Sequence, residues 1–483
     1  MNSKQLFVFT VSAALPGGSF AHSFGEPYQL PMPYWMYIFA AVAALVLSFI
    51  VLAFVIGNDH AKRGPRRWPA PLLKPRGWTR RLKTLCAAVF FLCFVLSVIT
   101  GFLGSIDPYR NFNMTFFWVI FGLGAPYLTL LIGNWYSQVN PWATLTQLIN
   151  RVIKGFDTGR LSYPAGLSYW PAVLLYVALI GLELFGHIRP FSLSVLLVAY
   201  TAINLVAVWL IGANAWFRYG ELFSVMFRLW AKCAPVAWER HEDNRIRVVF
   251  RLPFTGLIGQ RIEHISLLVF LLFMLSSTAY DGLRETKVWF QIFWQDPFNL
   301  LTPLLGEPPI RAYVWLRPWY VAFESLCLVL SPFLYLLLFW AFLWLGKRLT
   351  RSRHTLKELS LRFGFSLLPI AIVYHVTHYY TLLLNQGVKI RALISDPFGW
   401  GWDLFGTTYT ARIPLLPDMG FVWNSQTVLI LLGHVASVYL AHVEALTVFR
   451  SPRQATLSQL PMLGLMVLFT GAGLWILAQP LQG

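Results

Sequence analysis

The stretch PIAIVYHVTHYYTLLL, Pro369 to Leu384, is an apolar run long enough to cross a bilayer, and it carries His375 and His378 three residues apart. Two imidazoles at i and i+3 share one helix face. Taking them into hydrocarbon is costly, so ionisable groups inside a membrane usually face a bundle interior and a partner, and they point to a functional site. The plainer reading gives each ring one hydrogen bond to a neighbouring helix and no chemistry.

The rest of the chain fixes the class. Of 483 residues, 57% are hydrophobic, 17% aromatic and only 12% charged, which excludes an ordinary soluble protein. The expectation is an all-α, polytopic helical membrane protein. Its net charge of +18 sits in short runs between apolar segments, where cytoplasmic loops collect Lys and Arg, and so argues topology and not nucleic acid. Cys86, Cys93, Cys233 and Cys327 form no CxxC pair and read as small buried hydrophobes.

At the start, Lys4, the run LFVFTVSAAL and the small residues Ser19 and Ala21 read as a cleavable secretory signal over residues 1–21, leaving 22–483 as a single transmembrane domain. Cleavage after Ala21 makes His22 the outer amino terminus. A terminal histidine chelates through its amino and ring nitrogens, a donor set that copper favours.

The first span runs from about Tyr34 to Ile56. The following loop holds Lys62, Arg63, Arg66, Arg67, Lys74, Arg76, Arg80, Arg81 and Lys83 against Asp59, so it is cytoplasmic. Further spans fall near 84–104, 116–135, 169–186, 192–216, 263–280, 319–345, 369–384, 425–449 and 460–478. With this set of about ten, every basic loop lies on one side and both termini lie outside. The segment NPWATLTQLINRVIKGF reads as an amphipathic helix on the inner surface, and no soluble domain or internal repeat appears.

Alternation then assigns depths, at about 1.5 Å per helical residue. His375, His378 and His434 share a layer roughly 10 to 15 Å below the outer surface. Glu183, Glu324 and Asp281 lie at or near the outer ends of their spans, with His187 one turn beyond Glu183. His264, His442 and Glu444 map to the inner interface, and His60, His241 and His354 to cytoplasmic loops. Outer helix ends collect polar residues in any case, which accounts for part of the convergence.

A semi-buried set of His, Asp and Glu suits three chemistries. Imidazole and carboxylate ligands hold zinc or copper, with further carboxylates orienting the rings; the HxxH spacing is not HExxH. His434 with His375 or His378 also suits bis-histidine haem in an electron carrier. Transport is the third, with the same groups relaying protons or binding a cation.

The segments YHVTHYYTLLLNQG, SDPFGWGWDLFGT, GHVASVYLAHVEAL and STAYDGL, with the start HSFGEPYQLPMPYW, resemble a family of bacterial polytopic membrane proteins labelled fenitrothion hydrolase. The resemblance covers most of the chain after the signal. It implies hydrolysis of an organophosphorus triester at its aryl ester bond, by an enzyme of the inner membrane that works with partner subunits. Under that implication His375, His378 and His434 bind a metal whose hydroxide attacks phosphorus, and Asp281, Glu183 or Glu324 orients a ring or takes the water proton. Trp289, Trp294, Trp400 and Trp402 of the outer loops then admit a small apolar aryl substrate from the outer leaflet, on the periplasmic side; the same tryptophans also fit an interfacial aromatic belt.

Overall fold

A computed structural model describes residues 33–55, 66–72, 77–240, 245–409, 415, 417–449 and 451–479; the expected signal over residues 1–21, His22, His60 and His241 lie outside these. Twelve helices organise the bundle: α1 Tyr34–Val55, α2 Gly77–Leu103, α3 Phe112–Ile132, α4 Pro141–Val152, α5 Trp170–Phe185, α6 Pro190–Ile211, α7 Leu222–Cys233, α8 Ile265–Arg284, α9 Tyr313–Thr350, α10 Leu368–Gln386, α11 Met419–Val448 and α12 Pro452–Ala478. Among the described residues nine helices are long and apolar enough to span a membrane, and α5, at 16 residues, is a shorter apolar helix in the place of the fourth expected span.

The chain is thus an all-α multi-pass membrane protein, and its loops fall into the two sets that alternation requires. At the basic end, the Ala213 N–H donates to the Asp157 carbonyl and Ile262 to Leu361. Arg362 meets Glu444 at 3.5 Å at the same end. At the opposite end, the Ser105 and Phe112 amides donate to Phe398 and Pro397. Arg284 Nη1 there donates to the Leu184 carbonyl at 3.1 Å.

One element is absent from the sequence reading. Strands β1 Arg67–Pro69, β2 Val236–Arg240 and β3 Ile246–Arg251 form an antiparallel sheet in the order β1-β3-β2 at the basic end. Three residues of the first basic loop pair with a segment far along the chain, and no local pattern announces such a pairing.

Helix lengths also differ from expectation. α9 runs 38 residues through Pro318 and Pro332, about 57 Å of helix against a hydrocarbon core of about 30 Å, so it extends beyond the bilayer or tilts strongly. α8 continues to Arg284, which places Asp281 inside a buried helical turn and not in the loop that follows.

α8 is apolar on all sides and almost wholly enclosed, the mark of a central helix. It touches α5, α9 and α10, while α10 reaches α3 and α11, and α1 lies against α11 and α12. Small residues allow the closest approaches, as expected where lipid supplies no drive for helices to associate. At Gly101 of α2 an added Cβ would lie 2.4 Å from the Pro190 carbonyl and 2.0 Å from Ser194 Oγ. Gly101→Ala is expected to cost about 1–3 kcal/mol by overpacking, read as a lower midpoint of thermal unfolding in detergent; an unchanged midpoint would mean that α2 and α6 do not meet this closely.

Candidate functional site

The site is built where α8 and α10 meet. Asp281, almost completely buried, sits in the last turn of α8. Its Oδ2 lies 2.9 Å from His378 Nε2 and accepts the Tyr379 hydroxyl at 2.9 Å. An ionised carboxylate only accepts, so with Asp281 charged the His378 proton is on Nε2 and the ring lone pair on Nδ1. Next along α8, Gly282 makes room for Ile476 of α12, since a Cβ there would lie 2.6 Å from Ile476 Cγ2 and in ordinary contact with the His378 ring.

Burial divides the pair. The Asp281 side chain is 1% exposed and that of His378 18%. α10 itself changes character at this level, being buried from Leu368 to Tyr374 and mostly half-buried from His375 outward. His378 therefore stands where the dry core begins to open, backed by a carboxylate that water does not reach.

His375 turns elsewhere. Its ring lies edge-on to Trp230 of α7 and Tyr127 of α3, with centroids 5.2 and 5.9 Å away, and 4.9 Å from Tyr379. Its Nδ1 is buried without a hydrogen-bond partner, while the Tyr127 hydroxyl donates to the His375 carbonyl at 3.2 Å. Tyr127 lies just beyond a π-helical stretch of α3, Thr115–Gly124. Such turns gather near functional sites.

His434 sits near the middle of α11, which begins at Met419. Its Nδ1 meets the Ile430 carbonyl at 2.8 Å, its Nε2 is buried without a partner, and its nearest aromatic ring is Tyr374, centroids 6.3 Å apart. α10 and α11 close tightly here, since a Cβ on Gly433 would come 2.3 Å from Val373. A macrocycle ligated by His434 and a histidine of α10 would have to part these helices.

The three rings thus point to three neighbourhoods, and among the described residues no group of three or more His, Cys, Asp or Glu is placed to hold a metal ion. Among the described residues His375, His378 and His434 are not brought together as one ligand set, and His22 lies outside them; what does come together is the pair His378–Asp281.

Of the other expected carboxylates, Glu183 is exposed near the outer end of α5 and close enough to Tyr379 to interact electrostatically. Glu324 is buried in a separate cluster, where Oε1 accepts the Trp289 indole N–H at 3.2 Å and its carbonyl accepts the Tyr280 hydroxyl at 2.9 Å. Trp289 and Trp294 are core residues of the outer cap, whereas Trp400 and Trp402 are exposed. His264 caps α8 through a 3.2 Å bond from the Ser266 amide, and His442 is buried on α11 beside Phe49.

The exposed tryptophans ride on a loop pinned by two aspartates. Asp396 accepts the Trp400 and Gly401 amides at 3.0 and 2.8 Å. Asp403 accepts the Thr408 amide and the Ser395 hydroxyl, each at 3.0 Å. These bonds, the Thr408 amide first, hold the Asp403 carboxyl below its ordinary range. A depressed acid stabilises above its unfolded value, near 4, and that contribution fades as pH falls through its folded value. The loop should therefore loosen on acidification below about pH 4, and Asp403→Asn should loosen it at neutral pH. The readout is the Trp402 emission, taken as the difference from Trp402→Phe; a difference that is flat with pH and unmoved by Asp403→Asn would remove Asp403 as the pin.

Two small cavities are lined by Arg362, Gln260 and Glu444 and by Phe49, Gln459 and Met462 respectively, and His378 lines neither.

Fold and site together define a polytopic helical membrane protein with a histidine–aspartate pair inside its bundle. Compared with family models, curated proteins and solved structures, the chain matches none of them.

Proposed function

We propose that this protein is a membrane-embedded hydrolase of an apolar aryl phosphotriester, with His378 as general base and Asp281 holding its ring. The observation that carries the reading is the 2.9 Å contact between a buried carboxylate and a part-exposed imidazole. That asymmetry suits a base, because the aspartate fixes the ring and stabilises the imidazolium while the ring itself is part-exposed. The substrate class comes from the family resemblance alone.

In the reaction His378 Nδ1 takes one proton from a water molecule as its oxygen forms a bond to phosphorus. The aryl oxide leaves with the electron pair of the broken P–O bond, and the imidazolium proton passes to it or to bulk water. The product is a phosphodiester and a phenol. Trp400 and Trp402 lie at the same end of the bundle and offer an aromatic surface to the aryl group. By the charge of the loops that end faces the periplasm, with the chain in a bacterial inner membrane.

The second reading is a proton relay in a transporter, favoured by the enclosure of α8 and by His375 lying within electrostatic reach of His378.

Purified full-length protein in lipid nanodiscs separates the readings. Release of nitroaryl oxide from fenitrothion is followed by absorbance, with metal content and the visible spectrum recorded on the same sample. Hydrolysis above a protein-free control supports the enzyme. No hydrolysis, together with pH-gradient-driven uptake in proteoliposomes, would replace it with the transporter, and an intense Soret band with the redox carrier.

A further inference from the structure

The sheet at the basic end has two unlike faces, because side chains alternate along each strand. The register pairs Trp68 with Phe250, Phe250 with Val236, and Trp238 with Val248, so Trp68, Phe250 and Trp238 share one face. They are 50%, 50% and 54% exposed, an uncovered apolar face on a three-stranded sheet. The other face carries Arg67, Arg247, Arg251 and Glu239. It turns toward α7, where Arg251 donates to the Ala231 and Ala234 carbonyls at 2.8 Å each.

Two contacts fix the depth of this sheet. The Trp238 indole N–H donates to the Ile132 carbonyl, 2.7 Å away, at the last residue of α3. A Cβ on Gly133 would lie 2.5 Å from the Val236 carbonyl, so β2 lies directly on the end of that span. The aromatic face is thereby held at the level where a membrane helix leaves the hydrocarbon, the level at which tryptophan rings settle. The charge is also unequal: Arg66, Arg67, Arg240, Arg245, Arg247 and Arg251 stand on the strands or beside them against Glu239, and the sequence between β2 and β3 adds Glu242 and Asp243, so six arginines face three acids.

We propose that this sheet is a lipid anchor, with Trp68, Phe250 and Trp238 seated in the headgroup–acyl boundary of the adjacent leaflet and the surrounding arginines on anionic headgroup phosphates. The occupant is the bilayer and not a soluble protein: the depth is that of the lipid interface, and an excess of arginine complements an anionic leaflet. Arg66 and Arg67, exposed at the rim of the sheet, reach headgroups while their stems stay on apolar surface, whereas Arg251 is held against α7. The sheet ties two loops together, so lipid bound there would brace α7, whose Trp230 packs on His375.

The test places a benzoylphenylalanine photocrosslinker at Phe250 in the full-length protein, with Pro69, on the opposite face, as the comparison site. Nanodiscs hold equimolar phosphatidylglycerol and phosphatidylcholine, and adducts are read by mass. Position 250 should crosslink to lipid and position 69 should do so far less. Phosphatidylglycerol should be favoured about fivefold, as about 1 kcal/mol for one arginine near the surface implies. Arg67→Gln with Arg247→Gln should bring that preference toward parity while lipid adducts persist. An absence of lipid adducts at position 250, or protein adducts in their place in native membranes, would overturn the proposal.

Discussion

His378→Ala should lower aryl phosphotriester hydrolysis by about 10²–10⁴-fold, the usual contribution of a positioned general base. Insertion and folding should survive, because the ring is part-exposed and the substitution leaves a good helix former on α10. Asp281→Asn makes the sharper comparison. The amide can donate where the carboxylate only accepts, so Nε2 can become the acceptor, the proton moves to Nδ1, and the ring keeps its place with the wrong tautomer. A loss close to that of His378→Ala is expected, with little change in thermal stability. Asp281→Ala differs, because it strands the Tyr379 hydroxyl in a buried site, a penalty of about 1–3 kcal/mol. His354→Ala, on a ring at the basic end that meets Glu358 at 3.0 Å, is the control and should leave hydrolysis unchanged.

The largest stability effect is expected at Glu221, far from any expected catalytic group. Its fully buried carboxylate caps α7 by accepting the Phe223 and Ser224 amides at 3.0 and 2.7 Å. It also accepts the Tyr200 hydroxyl at 2.6 Å and Asn140 Nδ2 at 3.3 Å, which ties α7 to α6 and to the start of α4. Burial raises the Glu221 carboxyl above its ordinary value, and the bonds from Ser224 and Tyr200 oppose the rise. Glu221→Ala removes a cap and leaves several buried donors without acceptors, for a cost of about 3 kcal/mol or more. Glu221→Gln keeps an acceptor and should cost less. Because α7 carries Trp230 against His375, the alanine variant should also disturb the site. Equal thermal midpoints for wild type and Glu221→Ala would show that α7 is not held from this end.

The membrane class was legible because apolar runs and basic loops alternate over the whole chain, and hydrocarbon thickness leaves little freedom in span length. Boundaries were less so: Asp281 read as the first residue of a loop because its charge ended the apolar run, whereas a buried partner keeps it in α8. His378 and Asp281 were both legible as polar groups near the outer side. Their contact was not, since hydropathy gives depth and says nothing of azimuth around the bundle. The same gap explains His434, assigned to the His378 layer by depth but turned toward Tyr374 on a tightly closed helix pair. Tyr379, the second donor to Asp281, was hidden because a tyrosine in an apolar span reads as core. Glu221 was hidden because one acid in a basic, amphipathic stretch has no pattern that marks it as buried. The sheet was invisible because its three strands belong to two loops and have no helical or strand period long enough to register.

The central claim is that His378, held by Asp281, accepts the proton of the reaction, and chemical rescue tests it most directly. His378→Gly opens space at a part-exposed position, and hydrolysis of a nitroaryl phosphotriester in nanodiscs is measured against imidazole concentration. The expected result is low activity that rises with imidazole and saturates, with no such rise in wild type or in His378→Gly/Asp281→Asn. Full activity of His378→Gly without imidazole would contradict the claim and leave the pair as a helix-packing contact.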